Sequence, residues 1–259
     1  MTKYRIWVAL GALVLIQICY PLTGGSARAA LTVLTVIFGY IISIGHALAT
    51  RGPRAALALI GTATVGGFAV EAIGVATGFP FGAYDYSGQL GPKLLGVPLI
   101  IPLAWTWMAW PAWLAALRLA RATPARVAIA GFGLAAWDLF LDPQMVAEGY
   151  WRWQDPVPAL PGVPGVPIGN YLGWLGFALL LMAGLAAAGG RATKTPDAAD
   201  APIIALWFWT YASSVLAHAV FLGLPASAAW GGALLGLAVL PLAARLRRPR
   251  PPTVHGGRR

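Results

Sequence analysis

Charge is what this sequence has least of. Acidic and basic residues make up 10% of its 259 positions, against roughly 25% in a soluble globular domain, while 59% are hydrophobic. So few polar groups cannot coat a water-soluble globule of this size, which excludes an ordinary cytosolic enzyme and a disordered chain. Cysteine is nearly absent as well. Cys19 stands alone and cannot close an internal bridge, so a disulfide-stapled secreted scaffold is excluded too. With three histidines and that one thiol, no pair has structural-zinc spacing. There is no HExxH, no nucleotide-binding glycine loop followed by lysine, and no nucleophile elbow. No internal repeat argues for a duplicated architecture.

Long apolar runs are what the sequence does have. A helix needs about 20 apolar residues to cross the hydrocarbon core. Eight stretches qualify, at about 6–22, 29–49, 55–77, 94–117, 124–142, 168–190, 202–222 and 227–244. They predict an all-α, polytopic membrane helix bundle, with residues 1–244 as one domain and 245–259 as a basic, disordered cytoplasmic tail. Glycine and proline inside the runs fit membrane helices, which tolerate them better than soluble helices do.

The basic residues set the direction. Fifteen of the 18 Lys and Arg fall at one set of helix ends, and only Arg28, Lys93 and Arg152 fall at the other. By the positive-inside bias, both termini are expected in the cytoplasm of a multi-pass cell-membrane protein. The net charge of +10 is spread over short connections and termini. It therefore predicts contact with anionic lipid at the cytoplasmic face and no nucleic-acid partner. Lys3, Arg5, the first apolar run and Ala27-Arg28-Ala29 also resemble a signal peptide with its cleavage site. A retained span is favoured, because the run reaches past Tyr20 and leads straight into the next one; cleavage would leave seven spans in the same orientation.

Six of the eight acids, Glu71, Asp85, Asp138, Asp142, Glu148 and Asp155, fall in the outward half. The remaining two, Asp197 and Asp200, are read as part of a solvated cytoplasmic loop. Ionisable groups at membrane depth are costly and usually face a cavity or the bundle interior. Glu71 lies six residues before Thr77, or roughly 9 Å below the helix end, and Asp138 lies four residues before Asp142, or roughly 6 Å. Asp138 and Asp142 share one helix face. Three carboxyls at a common level predict a functional cavity rather than three separate structural bonds, with Asp142-Pro143 readable also as a mere helix end.

The outer connections at 78–93 and 143–167 are long, rich in glycine, proline and aromatics, and are read as lids or binding segments. Part of the aromatic content belongs to an interfacial belt, to which Trp207 and Trp209 are assigned. Trp105, Trp107, Trp110 and Trp113 on one helix read first as packing. Among the histidines, His218 near the outer end of the seventh span is the one that joins the acids as a candidate.

Several ordered motifs then carry a resemblance. EAIGVATGFPFGAYDY from Glu71 to Tyr86, GVPLIIPLAW from Gly96 to Trp105, WDLFLDPQM from Trp137 to Met145, WRW at 151–153 and PIGNYLGW from Pro167 to Trp174 resemble the carotenoid biosynthesis membrane-protein family. That family includes carotenoid 1,2-hydratases, among them bisanhydrobacterioruberin and γ-carotene hydratases. The resemblance implies an acyclic or monocyclic carotenoid substrate, water added across a terminal C1–C2 double bond, no cofactor, no metal, and other carotenoid enzymes as possible partners.

Chemistry then assigns roles. Protonating the less substituted carbon leaves a tertiary cation that water captures, which calls for an acid, a base and aromatic faces at one depth. Glu71 or Asp138 is the candidate acid with the other as base, and Asp85 and Asp142 in support. Phe81, Tyr84, Tyr86, Trp105, Trp137, Asn170 and His218 are candidate substrate contacts. The rivals are a magnesium-dependent prenyltransferase using the DxxxD pair Asp138 and Asp142, a carotenoid end-group cyclase, and a non-catalytic transporter or scaffold.

Overall fold

In the computed structural model, which describes residues 2–190, 193 and 195–247, the core of every predicted apolar run is helical. Helix α1 (Thr2–Cys19) ends in a 3-10 turn over Tyr20–Leu22, and α2 spans Gly25–Arg51. Helices α3 (Pro53–Leu59) and α4 (Gly66–Thr77) form one span through a π-helical turn at Ile60–Val65. Then come α5 (Ile101–Leu119), α6 (Thr123–Ala147), α7 (Ile168–Ala188), α8 (Ala201–Leu216), which closes in a second π-helical turn at Ala217–Phe221, and α9 (Pro225–Arg247). The protein is an all-α polytopic membrane bundle. Among the described residues, seven spans are long and apolar enough to cross a membrane. The eighth, α5, is the central post, packed against α2, α6 and α8 with nearly every side chain buried. The tail expected to be disordered lies, from residue 248 on, outside the described residues.

Two boundaries differ from expectation. Residues 94–100 are not helix: β2 (Lys93–Leu94) and β3 (Val97–Pro98) make a tight hairpin turning through Leu95 and Gly96, both at positive φ. The helix starts after it, with Pro102 in its first turn, where a missing N–H costs nothing. At the other boundary, α6 does not stop at Asp142 but runs through Pro143 to Ala147.

That continuation has a physical reason. A proline inside a helix frees the carbonyl four residues earlier, and in a bilayer a neighbouring helix must satisfy it. Pro143 frees Leu139, whose carbonyl accepts from Ser227 Oγ of α9 at 2.6 Å. Pro111 of α5 frees Trp107, whose carbonyl accepts from Ser43 Oγ of α2 at 3.2 Å. His218 belongs to the first of these repairs, with its ring nitrogens 2.9 Å from Ser227 Oγ and 2.9 Å from Gln144 Oε1.

The end of the bundle rich in arginine is locked by a buried charge. Asp200, expected in a solvated loop, is fully buried and accepts from Arg51 at 2.7 Å and Arg118 at 2.8 Å. It also caps the backbone N–H of Asp197 at 2.9 Å. The short 3-10 turn Ala198–Asp200 tucks this carboxylate between the ends of α2 and α5, which a reading of composition alone misses. Trp207 is likewise not an interfacial residue: it is 1% exposed and packs on Gly133, where a Cβ would sit 3.2 Å from the indole. Trp209 is half-buried and donates to Gln17 at 2.7 Å.

Removing one partner of a buried ion cluster leaves uncompensated charge and costs about 3–5 kcal/mol. Asp200→Ala is therefore expected to lower thermal stability in detergent far more than Asp197→Ala, whose side chain is 53% exposed. Equal melting temperatures for the two variants would contradict the lock.

Candidate active site

At the opposite end, the two long connections fold back over the helices and zip together. Strand β1 (Tyr84–Tyr86) pairs antiparallel with β4 (Trp151–Trp153), matching Tyr84 with Trp153 and Tyr86 with Trp151. Strand side chains alternate faces. The four aromatics turn inward, and Asp85 and Arg152 turn out to solvent. Trp153 Nε1 donates to the Phe81 carbonyl at 2.8 Å, which holds the turn carrying Phe81 beneath the ribbon. A second ribbon, β5 (Ala159–Leu160) with β6 (Val163–Pro167), leads into α7.

Beneath this cover lies a cavity of about 40 Å³ lined by Glu71, Asp142, Asn170, Phe81, Tyr84 and Trp105 among others. Glu71, 3% exposed on α4, accepts from three neutral donors. Tyr84 Oη at 2.6 Å and Tyr86 Oη at 2.8 Å reach Oε2, and Trp105 Nε1 at 2.9 Å reaches Oε1. Burial, and then the neighbouring Glu71 carboxyl, push the ionisation of both phenols far above its ordinary range, so they remain donors. Gly74, one turn beyond Glu71, makes room for this: a Cβ there would lie 2.8 Å from Tyr84 Oη.

The aspartates form the second half. Asn170 at the start of α7 donates through Nδ2 to Asp138 Oδ2 at 2.9 Å and also to Asp142 Oδ2. One amide thus bridges both carboxyls. Trp151 Nε1 donates to Asp142 Oδ1 at 3.0 Å, and Asp138 Oδ1 is buried without a partner among the described residues. Asp142 faces the cavity; Asp138, 0% exposed, stands behind it. No arginine or lysine pairs with Glu71, Asp138 or Asp142 among the described residues. Aromatic rings close the walls, with Trp105 stacked on Trp174 at 3.7 Å between centroids and Phe81 packed near both.

The residues that build this site coincide with a known family. A family model described as carotenoid biosynthesis protein matches residues 31–246. The chain belongs to the carotenoid biosynthesis protein family. It is 38% identical over 127 residues to the bisanhydrobacterioruberin hydratase of Haloarcula japonica, a match spanning 47% of this chain and 41% of that relative. No solved structure matches it.

Of the residues singled out from sequence, this family member brings Glu71, Asp142, Asn170, Phe81, Tyr84, Tyr86 and Trp105 around one cavity, with Asp138 bonded behind. It does not bring Asp85, which is exposed and bonded by Gln154 at 3.3 Å. His218 is tied to Ser227 and Gln144 away from the acids. Trp137 lies edge-on to Trp107 and Trp174 and lines a neighbouring cavity instead. Trp151, which holds Asp142, and Trp174, which stacks on Trp105, were not singled out. The alternation Trp-Arg-Trp, apolar on both sides of a charge, was the signal for Trp151.

An alanine at Gly74 gains up to about 1 kcal/mol in helix propensity but drives its methyl into Tyr84, an overpacking cost of about 1–3 kcal/mol. Gly74→Ala is expected to lower the melting temperature in detergent. Gly176→Ala, with nothing within 4 Å of the new methyl, is expected to leave it unchanged or raise it.

Proposed function

We propose that this protein is an enzyme that adds water to the terminal C1–C2 double bond of an acyclic carotenoid end group. One observation carries the reading: two kinds of carboxyl face one aromatic-walled cavity, one saturated by neutral donors and the other paired with a second carboxyl through a shared amide. The hydratase name of the Haloarcula japonica relative supports the reaction class.

Glu71 already accepts three hydrogen bonds, so its role is that of an acceptor. The pair Asp142 and Asp138, bonded to one Asn170 amide, holds one proton between them, since two like charges brought together by a single group repel each other. Asp142, on the cavity side, delivers that proton to the less substituted alkene carbon. The π bond supplies the electrons for the new C–H bond and leaves a tertiary cation. The faces of Trp105, Trp174 and Phe81 stabilise the cation, by about 0.5–2 kcal/mol for each ring in reach. A water oxygen bonds to the cation while Glu71 takes its proton, and exchange through cavity water returns a proton to the aspartates. Atoms balance as alkene plus water giving a tertiary alcohol, and no oxidation state changes overall, so no redox cofactor is called for.

This assignment differs from the sequence expectation, which named Glu71 or Asp138 as the acid, the other as base and Asp142 in support; Asp142 faces the cavity and Asp138 stands behind it. The membrane setting fits the substrate. The polyene dissolves in hydrocarbon while its reacting end meets water near the outer rim. By the charge distribution that rim lies outside the cell membrane, with the arginine-rich end toward anionic cytoplasmic lipid.

Expression in a bacterium that makes lycopene or γ-carotene, followed by mass spectrometry of the pigments, tests the reading. The expected product is heavier by one water per reacted end. Asp142→Asn and Glu71→Gln are each expected to reduce it about 10²–10⁴-fold, while Asp85→Asn leaves it nearly unchanged. Rearranged rings without a mass change would indicate a cyclase, and unaltered pigment across several acyclic substrates would overturn the enzyme reading.

A further inference from the structure

Beside the acid cavity lies a larger one, of about 120 Å³, which the reaction as drawn does not use. The two share a wall, because Thr32, Val36, Ala104, Leu141 and Met145 line both. Both linings are mainly apolar, and they differ in their polar groups. Apart from its polar cluster, the acid cavity is aromatic and aliphatic. The second is set about with hydroxyls and amides from Gln17, Thr35, Gln144, Thr210, Ser213 and Ser214.

Three groups on that lining lack partners. Tyr20 Oη, Trp107 Nε1 and Thr210 Oγ1 are buried with no hydrogen bond among the described residues, and Trp107 and Thr210 are each only 3% exposed. The last two come from different helices, α5 and α8. A buried polar group left unpaired costs about 1–3 kcal/mol. A hydroxylic guest would relieve them, whereas a hydrocarbon chain would not. Water needs about 10–15 Å³ of such space per molecule, so the cavity has room for several.

Its placement also fits supply from outside. Tyr20 and Gln144 lie at the outer ends of α1 and α6. Thr210 lies 11 residues before Phe221, where that span ends, or roughly 16 Å deeper at 1.5 Å per residue. The space therefore reaches from the outer rim inward, alongside the wall of the acid site.

We propose that this second cavity is a water chamber, which takes in water at the outer rim and passes it by Thr32 and Met145 to the acid cavity as the second substrate. The use of that water rests on the hydration reading; its presence does not.

Hydroxyl-radical footprinting with synchrotron X-rays, on the full chain in lipid nanodiscs, reads buried water without an activity assay, because the radicals arise from the water and modify the side chain beside it. Trp107 and Trp137, which line the chamber, are expected to be oxidised several-fold faster than Trp110 and Trp113, which are also buried but line neither cavity. The isosteric Thr210→Val together with Ser213→Ala should lose that labelling at Trp107. The same variant should form hydrated product several-fold more slowly, with lycopene binding, followed by its absorption band, retained. Equal labelling of all four tryptophans overturns the chamber. So does protection of Trp107 by added lycopene, which would put the polyene there instead. Labelled Trp107 with no hydrated product from any acyclic carotenoid leaves the chamber standing and overturns the hydration reading. Hydrated product with Trp107 unlabelled does the reverse.

Discussion

A carboxyl group buried among membrane helices must find its hydrogen-bond donors inside the protein, because hydrocarbon offers none. Much of the half of this molecule opposite the arginine-rich end follows from that requirement. Glu71 draws in Tyr84, Tyr86 and Trp105, and Asp142 draws in Trp151 and Asn170. Three of these five donors come from the connections outside the helices. The β1–β4 ribbon is therefore more than a lid, since its inward face is the donor set that lets the acids stay buried. Covering the site and satisfying its charges are one structural act.

The two ends of the bundle answer the same requirement with different chemistry. At the arginine-rich end Asp200 meets two guanidinium groups and ties α2, α5 and the start of α8 together. Such a pairing fixes charge and position, and suits a joint. At the opposite end Glu71, Asp138 and Asp142 meet, among the described residues, only neutral phenols, indoles and an amide. Those partners hold position without adding a fixed charge, as the proton transfer proposed above requires. Prolines inside α5 and α6 follow the same rule at the backbone level, each freed carbonyl being taken by a serine of another helix.

Much of this was legible beforehand, and unevenly. The spans were legible because twenty apolar residues in a row have few alternatives, and the end of α4 at Thr77 falls where the run ends. The depth of Asp138 was not. With α6 continuing to Ala147, it lies nine residues from the helix end, roughly 14 Å down rather than 6 Å, because Ser227 makes Pro143 tolerable. Asp85 and Asp142 show the same limit. Both stand in motifs of the family, yet strand alternation sends one to solvent while the helix face of the other meets the cavity. His218 had the right depth and the wrong neighbours.

The amino-acid sequence by itself determined that this chain is a membrane bundle, which ends carry its positive charge, and that acids and aromatics gather toward the opposite rim. Those properties depend on composition and on runs of residues adjacent in the chain. Only the tertiary structure decided that Asn170 of α7 bridges two carboxyls of α6, that a Trp-Arg-Trp segment zips onto Tyr-Asp-Tyr to cap Glu71, and that Asp200 is a buried clasp rather than a loop charge. Each of these joins groups dozens of residues apart, and whether two such groups meet depends on how whole helices pack, which no local pattern records.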